Sequence, residues 1–256
     1  IENNDYSNIS VLVDNIQTKL AAAKDGVEDV VDGQVLYLSF DNEDVSDESG
    51  RGNHGTSVGN VSYEQGVIGK ALHIQNTNGS TMQIAEQYVN FGQPEDLKFT
   101  TNDFAISFWY KTVNGGGKEA AIISNKDWAT GSNIGMTIGN FDNSIRVNYT
   151  GQGCSRDDIY GLSANDDSWH YIVVNFDRDN VISAYIDGNL EKTTDIKDTF
   201  GKTIDATDFV IGADGNKITS RPAVIIPLQS VFLPLAQFHT VLFPPKLDNL
   251  IPEGGG

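Results

Sequence analysis

Oxygen-bearing groups are concentrated in the loop that follows the first predicted strand. Six side chains that can offer oxygen ligands to a cation lie within thirteen residues: Asp41, Asn42, Asp44, Asp47, Glu48 and Asn53. Calcium takes about six to eight oxygen ligands, which carboxylates, amides and carbonyls supply. The spacing lacks the alternating acids, central glycine and closing glutamate of an EF-hand. The loop is therefore either a calcium site or an acidic turn held by Asx-type hydrogen bonds.

A second polar cluster follows a predicted strand that ends at Ser124. It contains amide, cationic, acidic and aromatic side chains: Asn125, Lys126, Asp127 and Trp128. Sugar sites are shallow and pair an aromatic face with planar polar side chains that bind hydroxyl groups. The cluster therefore predicts a glycan site. The alternative is that Trp128 caps the edge of the core, since tryptophan is often mostly buried.

A third cluster combines cationic, amide, acidic and phenolic side chains: Arg146, Asn148, Arg156, Asp157 and Tyr160. On a strand, Arg146 and Asn148 lie on one face. The guanidinium of Arg156 has the geometry to bind a carboxylate of an acidic sugar such as sialic or uronic acid. It can equally pair with Asp157 or with the neighbouring Asp158, so ligand contact and local ion pairing both stay open.

The charge balance argues against several classes of partner. The chain has 35 acidic and 17 basic residues and a formal net charge of −18. Phosphate contacts require clustered lysine and arginine, which the chain lacks, so we expect no nucleic acid partner. No apolar run is long enough to span a bilayer, so we expect no membrane insertion. The single cysteine, Cys154, excludes an internal disulfide.

Periodicity divides the chain into three parts. Residues 6–32 have the three- and four-residue apolar spacing of an amphipathic helix, so residues 1–33 are predicted as an N-terminal α-helix and linker. Residues 34–251 alternate with a period of two and form one predicted antiparallel β-sandwich, followed by a linker at 252–256. The predicted strands are Val35–Phe40, Ala71–Ile74, Tyr88–Phe91, Phe104–Thr112, Ala120–Ser124, Gly135–Gly139, Ser144–Tyr149, His170–Phe176, Val181–Ile186 and Phe209–Gly212. Asp187-Gly188 predicts a type I′ hairpin turn.

Several blocks in order resemble the laminin-G-like, concanavalin-A-like domains of bacterial surface and secreted proteins. The blocks are Val35–Asp41, Asp47–Gly55, Val67–Ile74, Tyr88–Phe91, Phe104–Lys111, Ser168–Val174 and Ala184–Gly188. The resemblance implies an all-β jelly roll of two antiparallel sheets, one of them concave. It also implies a glycan-binding module that is covalently linked to catalytic modules such as sialidases, other glycosidases or lyases.

The resemblance also bears on the calcium loop. It makes Asp41 the main calcium ligand, followed by Asp47 and Asn53, with backbone oxygens near Asn42 and His54. The family usually adds an aspartate from the last strand, but this chain has Leu233 at that position.

Catalytic patterns are lacking in the sequence. Glucanases of the fold that the resemblance implies use a strand with acids at alternating positions, which places two carboxylates about 5 Å apart. No predicted interior strand has that pattern, and there is no G-x-S-x-G or P-loop. We therefore expect a non-catalytic, calcium-stabilised glycan-binding module of a secreted or surface bacterial carbohydrate-active enzyme, with sugar on the concave sheet and its loops. The alternative is an adhesion or protein-interaction domain of a cell-surface protein.

Overall fold

The computed structural model describes six stretches of the chain: residues 33–76, 83–112, 120–141, 143–219, 224–225 and 231–233. The predicted N-terminal helix within residues 1–33 and the predicted linker 252–256 lie outside these stretches. In the part that is described, the only helices are two 3-10 turns, Glu95–Leu97 and Lys197–Thr199. No helix in these stretches is long and apolar enough to cross a membrane.

Short strands account for the regular structure. In chain order they are β1 (Thr56–Val58), β2 (Ser62–Gln65), β3 (Lys70–Ile74), β4 (Gln83–Ile84), β5 (Tyr88–Gly92), β6 (Phe104–Tyr110), β7 (Ala120–Ser124), β8 (Gly135–Phe141), β9 (Ser144–Thr150), β10 (Arg156–Leu162), β11 (His170–Phe176), β12 (Val181–Ile186), β13 (Asn189–Asp195), β14 (Phe209–Ile211), β15 (Ile218–Thr219), β16 (Val224–Ile225) and β17 (Val231–Leu233).

Two antiparallel sheets form the body of the fold. The larger has seven strands in the order β1-β5-β14-β7-β8-β9-β10, and the smaller has five in the order β13-β12-β11-β6-β17. Two small sheets, β16-β3-β2 and β15-β4, lie beside them. The predicted all-β antiparallel sandwich is therefore confirmed.

The core lies between the two large sheets because each strand directs alternate side chains inward. On β6, Phe104, Ile106 and Phe108 belong to the buried cluster. Phe104 stacks on Phe99 and on Phe176, with ring centroids 4.0 and 4.3 Å apart. Full burial of one such side chain contributes about 1.5–3 kcal/mol, so the whole set of buried core side chains is needed to offset the entropy of ordering the strands.

The hairpin between β12 and β13 has the predicted turn. Asp187 and Gly188 have φ angles of 51° and 83°. A type I′ turn requires positive φ at both central positions, which glycine and aspartate adopt at low cost. The Asp-Gly prediction is therefore confirmed.

The segment predicted as the first strand, Val35–Phe40, is not a regular strand. Only Tyr37 forms an isolated bridge. The Tyr37 N–H donates to a carboxylate oxygen of Asp47 at 3.0 Å, and its carbonyl accepts from the Glu48 N–H at 2.8 Å. Phe40 then turns the chain with a φ of 62°. The strand prediction is wrong here, since Tyr37 donates and accepts hydrogen bonds with Asp47 and Glu48 of the loop and no regular ladder forms.

Candidate functional site

The outer face of the seven-stranded sheet, turned away from the core, carries polar side chains on β8, β9 and β10. On β9, Ile145, Val147 and Tyr149 belong to the core, so Arg146, Asn148 and Thr150 lie on the outer face. Strand pairing places Asp158 opposite Asn148 and Arg156 opposite Thr150. We refer to the group formed by Lys126, Arg146, Asn148, Arg156, Asp158 and Tyr160 as the Asp158 cluster.

Asp158 is the centre of this cluster. Its Oδ1 accepts from Asn148 Nδ2 at 2.6 Å, and its Oδ2 accepts from Arg146 Nη2 at 3.1 Å. Arg156 Nε lies 2.9 Å from the same Oδ2, and the Tyr160 hydroxyl also donates to it. Burial opposes ionisation, but the hydrogen bonds from Tyr160, Asn148 and Arg146 outweigh it and hold the pKa of Asp158 below its usual value.

The guanidinium of Arg146 lies between two aromatic rings. It is 4.7 Å from the ring centroid of Phe141 and 4.5 Å from that of Tyr160. Its Nη2 also donates to the Tyr160 hydroxyl at 3.2 Å. Tyr160 is nevertheless 50% exposed. The phenol ring is therefore held against a cation while half of the residue stays accessible to solvent.

Lys126 is a buried cation beneath the loop between β7 and β8. Its Nζ donates to the Gly131 carbonyl and to Thr150 Oγ1, each at 2.9 Å. Burial lowers the pKa of Lys126 to about 7; the charge of Asp158 opposes this shift, and those of the nearby arginines add to it. Among the residues that the structure describes, no carboxylate forms an ion pair with Lys126.

The β7–β8 loop is fixed by three hydrogen bonds from its first residues. Asn125 accepts the Met136 N–H through Oδ1 at 2.8 Å, and its Nδ2 donates to the Ile204 carbonyl at 3.3 Å. Asp127 Oδ1 accepts the Ala129 N–H at 2.9 Å, an Asx turn. Asn125 and Asp127 therefore use their side chains to shape the loop.

Trp128 lies on the same outer face as the cluster. Its backbone N–H donates to Asp214 Oδ2 at 3.0 Å. A Cβ built on Gly139 would meet its Cζ3 at 2.9 Å, so the indole packs directly on this glycine. Gly139 is paired with Arg146 across the strands. Trp128 is thus next to the cluster and half-buried.

The structure brings together five of the residues predicted for the ligand: Lys126, Arg146, Asn148, Arg156 and Tyr160. Asp157 is separated from them because it pairs with the core residue Tyr149 on the inward side of β10. Burial, with nearby carboxylates, raises the pKa of Asp157 to about 6. Sequence reasoning considered Asp158 only as an ion-pair partner and missed its central position. Strand alternation would have indicated it, since Asp158 lies between Arg156 and Tyr160 on one face.

The predicted calcium loop is organised by Asp47. Its Oδ1 accepts the N–H groups of Tyr37 and Ser49 at 3.0 and 2.9 Å. Its Oδ2 accepts Ser49 Oγ–H and the Asn53 N–H, both at 2.9 Å. Burial opposes ionisation, but these hydrogen bonds outweigh it and lower the pKa of Asp47.

The other predicted calcium ligands are dispersed. Asp41 Oδ1 accepts the Lys70 N–H at 2.7 Å, and Asn53 Nδ2 donates to the Val35 carbonyl at 2.8 Å. His54 Nδ1 accepts the Asp47 N–H at 3.0 Å, and Asn42 is exposed. Within the described stretches, no three His, Cys, Asp or Glu side chains are grouped to hold a metal. Since donors surround the Asp47 carboxylate, this arrangement does not fit calcium there, and calcium stays a prediction.

Comparison with known proteins finds sequence relatives among the non-toxic nonhemagglutinins of Paraclostridium bifermentans and Clostridium botulinum. The chain is 26% identical over 178 residues to the non-toxic nonhemagglutinin of Paraclostridium bifermentans. That match covers 69% of this chain but only 14% of the relative, so the chain corresponds to a small part of a much longer protein.

Solved structures with the same fold are binding domains. The binding domain of Paraclostridial Mosquitocidal Protein 1 superposes with a TM-score of 0.67 at 18% identity, covering 82% of this chain and 51% of that domain. The binding domain of Botulinum neurotoxin DC has TM-scores of 0.60 at 17% identity, in a complex with rat synaptotagmin II and in one with SialylT. These matches cover 78% and 79% of this chain and 48% of that domain.

A family model described as the concanavalin A-like lectin/glucanases superfamily, Laminin_G_3, matches residues 83–225. The matched region contains the whole Asp158 cluster and most strands of both large sheets. Because this match extends over more than half of the 256 residues, the chain belongs to the laminin-G-like branch of the concanavalin A-like lectin/glucanase superfamily.

Proposed function

We propose that this chain is a non-catalytic module that binds a glycan on the outer face of its seven-stranded sheet. The observation that supports this most is the exposed ring of Tyr160, which is held on the Arg146 guanidinium with its hydroxyl fixed by Asp158. A sugar presents a C–H face to such a ring and hydroxyl groups to its edge. Because the ring is already fixed in the free protein, little conformational entropy is lost when a ligand binds to it.

Neighbouring groups complete a shallow site around this ring. Trp128 offers a second aromatic surface on the same face, and Arg156, with its side chain 38% exposed, offers planar hydrogen-bond donors. Binding sites of this kind use a few aromatic and arginine anchors surrounded by polar groups. The solved neighbours are binding domains, and one of them was crystallised with SialylT, which agrees with this proposal.

The parent protein is proposed to be a secreted, toxin-associated clostridial-type protein. The sequence relative is a non-toxic nonhemagglutinin rather than a glycosidase or lyase. The sequence-based prediction of a linked carbohydrate-active enzyme receives no support from this relative. The same comparison supports secretion, which is part of the proposal.

The test is a glycan array probed with the full chain and with four variants. Tyr160→Ala removes the platform, Tyr160→Phe keeps the ring, and Phe200→Ala removes another exposed ring as a control, since Phe200 is 66% exposed outside the cluster. An aromatic contact contributes roughly 1 kcal/mol, so we expect Tyr160→Ala to weaken binding by about fivefold or more. Trp128→Ala should weaken it as well, and Phe200→Ala should not.

Two results would overturn the proposal. If the chain binds no glycan on the array but binds a protein partner, the result would favour the adhesion alternative. Turnover of a glycan by the isolated chain would contradict a non-catalytic role.

A further inference from the structure

We propose that the glycan recognised by the Asp158 cluster carries a negative charge, a carboxylate or a sulfate, which binds at Arg156. This inference rests on the proposed glycan-binding function and specifies the chemical class of the ligand.

The cluster contains more positive than negative charge. Arg146 and Arg156 are both paired with the single carboxylate of Asp158. Lys126 is buried behind them and adds up to one further positive charge at a pKa of about 7. The two arginines alone therefore outnumber Asp158, and an anion would compensate the excess.

The two guanidinium groups are held close to each other. Arg146 Nη2 and Arg156 Nη2 each donate to the Tyr160 hydroxyl at 3.2 Å, and both side chains contact Asp158 Oδ2. Like charges at this separation repel one another, more strongly at a partly buried site than in water. Folding alone does not require two arginines on one carboxylate oxygen, whereas binding an anion relieves their repulsion.

Arg156 provides the accessible donor. Its Nε and Nη2 are occupied by Asp158 and Tyr160. Its Nη1 lies against Gly131, where a Cβ would stand 2.1 Å away, and makes no hydrogen bond within the described part of the chain. The Arg156 side chain is 38% exposed and its guanidinium contacts the Tyr160 hydroxyl, so an anionic group on a ligand that stacks on Tyr160 comes next to this guanidinium.

The polar groups beneath Arg156 are not fully satisfied. Arg146 Nε and Asn148 Oδ1 are buried and have no hydrogen-bond partner among the described residues. Each such atom costs about 1–3 kcal/mol of stability, and unpaired buried groups in a native fold call for a functional explanation. Elsewhere the chain is strongly acidic, with a net charge of −18. That net charge repels an anion at long range, so the attraction for an anion comes from the local excess of positive charge at the cluster.

The experiment measures the affinity of the full chain for three forms of one oligosaccharide: a sialylated form, a sulfated form and the neutral form. We expect the two charged forms, or one of them, to bind at least about tenfold more tightly than the neutral form, as a charge-assisted hydrogen bond implies. Arg156→Gln should remove this preference, and Arg51→Gln, which alters an exposed arginine elsewhere, should not. Added salt should weaken binding of the charged forms.

The outcomes separate the inference from the function on which it rests. Equal affinity for charged and neutral forms, with binding still lost in Tyr160→Ala, would overturn the charge preference and leave the glycan site standing. No binding of any form, or binding that neither Arg156→Gln nor Tyr160→Ala changes, would overturn both. Preference for the sialylated form over the sulfated form, or the reverse, identifies the anion and supports the inference.

Discussion

Replacement of Asp47 by alanine tests what holds the loop that sequence analysis assigned to calcium. The variant leaves three backbone N–H groups and one hydroxyl without their acceptor, in a site where Asp47 is only 6% exposed. Each buried N–H that loses its acceptor costs about 1–3 kcal/mol, partly recovered as water enters. We therefore expect Asp47→Ala to reduce the free energy of unfolding by about 3–5 kcal/mol.

This loss is large compared with the total stability of a domain, which is about 5–15 kcal/mol. For a domain of this size it corresponds to a fall in Tm of roughly 10 °C. Circular dichroism during heating measures this fall, and urea denaturation measures the loss of free energy. Asp47→Asn keeps the shape but turns an NH₂ group towards two donors, so we expect a loss of about 2 kcal/mol. Asp44→Ala is the control, since Asp44 makes a single exposed bond to the Ser46 N–H. It should change stability by about 0.5 kcal/mol or less.

A chelator separates the two explanations of the loop. If hydrogen bonds alone hold the loop, as the donors around Asp47 indicate, the wild-type melt is the same with and without EDTA. A fall in Tm that excess calcium restores would show a bound ion, because a ligand that binds only the folded state must stabilise it. A loss below about 1 kcal/mol in Asp47→Ala would refute the central role of its carboxylate.

Three further predictions concern the sheet surfaces. Gly139→Ala places a Cβ 2.9 Å from the ring of Trp128. It should therefore displace the indole, change its fluorescence and reduce the free energy of unfolding by about 1–3 kcal/mol. Unchanged emission would contradict this packing. Asp158→Asn removes the carboxylate that pairs with two arginines, so urea denaturation should show a loss of about 3 kcal/mol in the free energy of unfolding. An unchanged free energy of unfolding would contradict the central position of Asp158. Burial opposes protonation of His170, but hydrogen bonds to Asp187 and a second aspartate outweigh it and raise its pKa. Its contribution is complete below the unfolded pKa near 6.5 and is lost as pH rises through the folded pKa. Over this range the free energy of unfolding should fall by up to about 1 kcal/mol in wild type but not in His170→Asn.

Strands with one apolar face could be predicted from sequence. The strand Val181–Ile186 and its Asp187-Gly188 turn match the structure because β-branched residues alternate there and the turn chemistry is specific. The strand Asn189–Asp195 was missed because it is an exposed edge strand without an apolar face. Its position depends on pairing with β12, which periodicity does not encode.

The candidate site was predicted in composition but not in arrangement. Strand alternation placed Arg146 and Asn148 on one face, and this is what the structure shows. The pairing of Asn148 with Asp158 depends on the register between β9 and β10, and a slip of one residue would have brought Asp157 there instead. Register is set by the core contacts of both strands and by the turn between them. A single sequence did not provide it.

The position of β14 has a consequence for synthesis of the protein. This strand lies between β5 and β7 and pairs with both, although it follows them by more than eighty residues in the chain. The hairpins of β8, β9 and β10 are local and can form as they leave the ribosome, but β1 and β5 join them only when residues 209–211 have emerged. Until then, the edge of β5 and the edge of β7 that pair with β14 in the finished sheet are both unpaired. A nascent chain that stalls before residue 209 should therefore depend on chaperones to avoid aggregation.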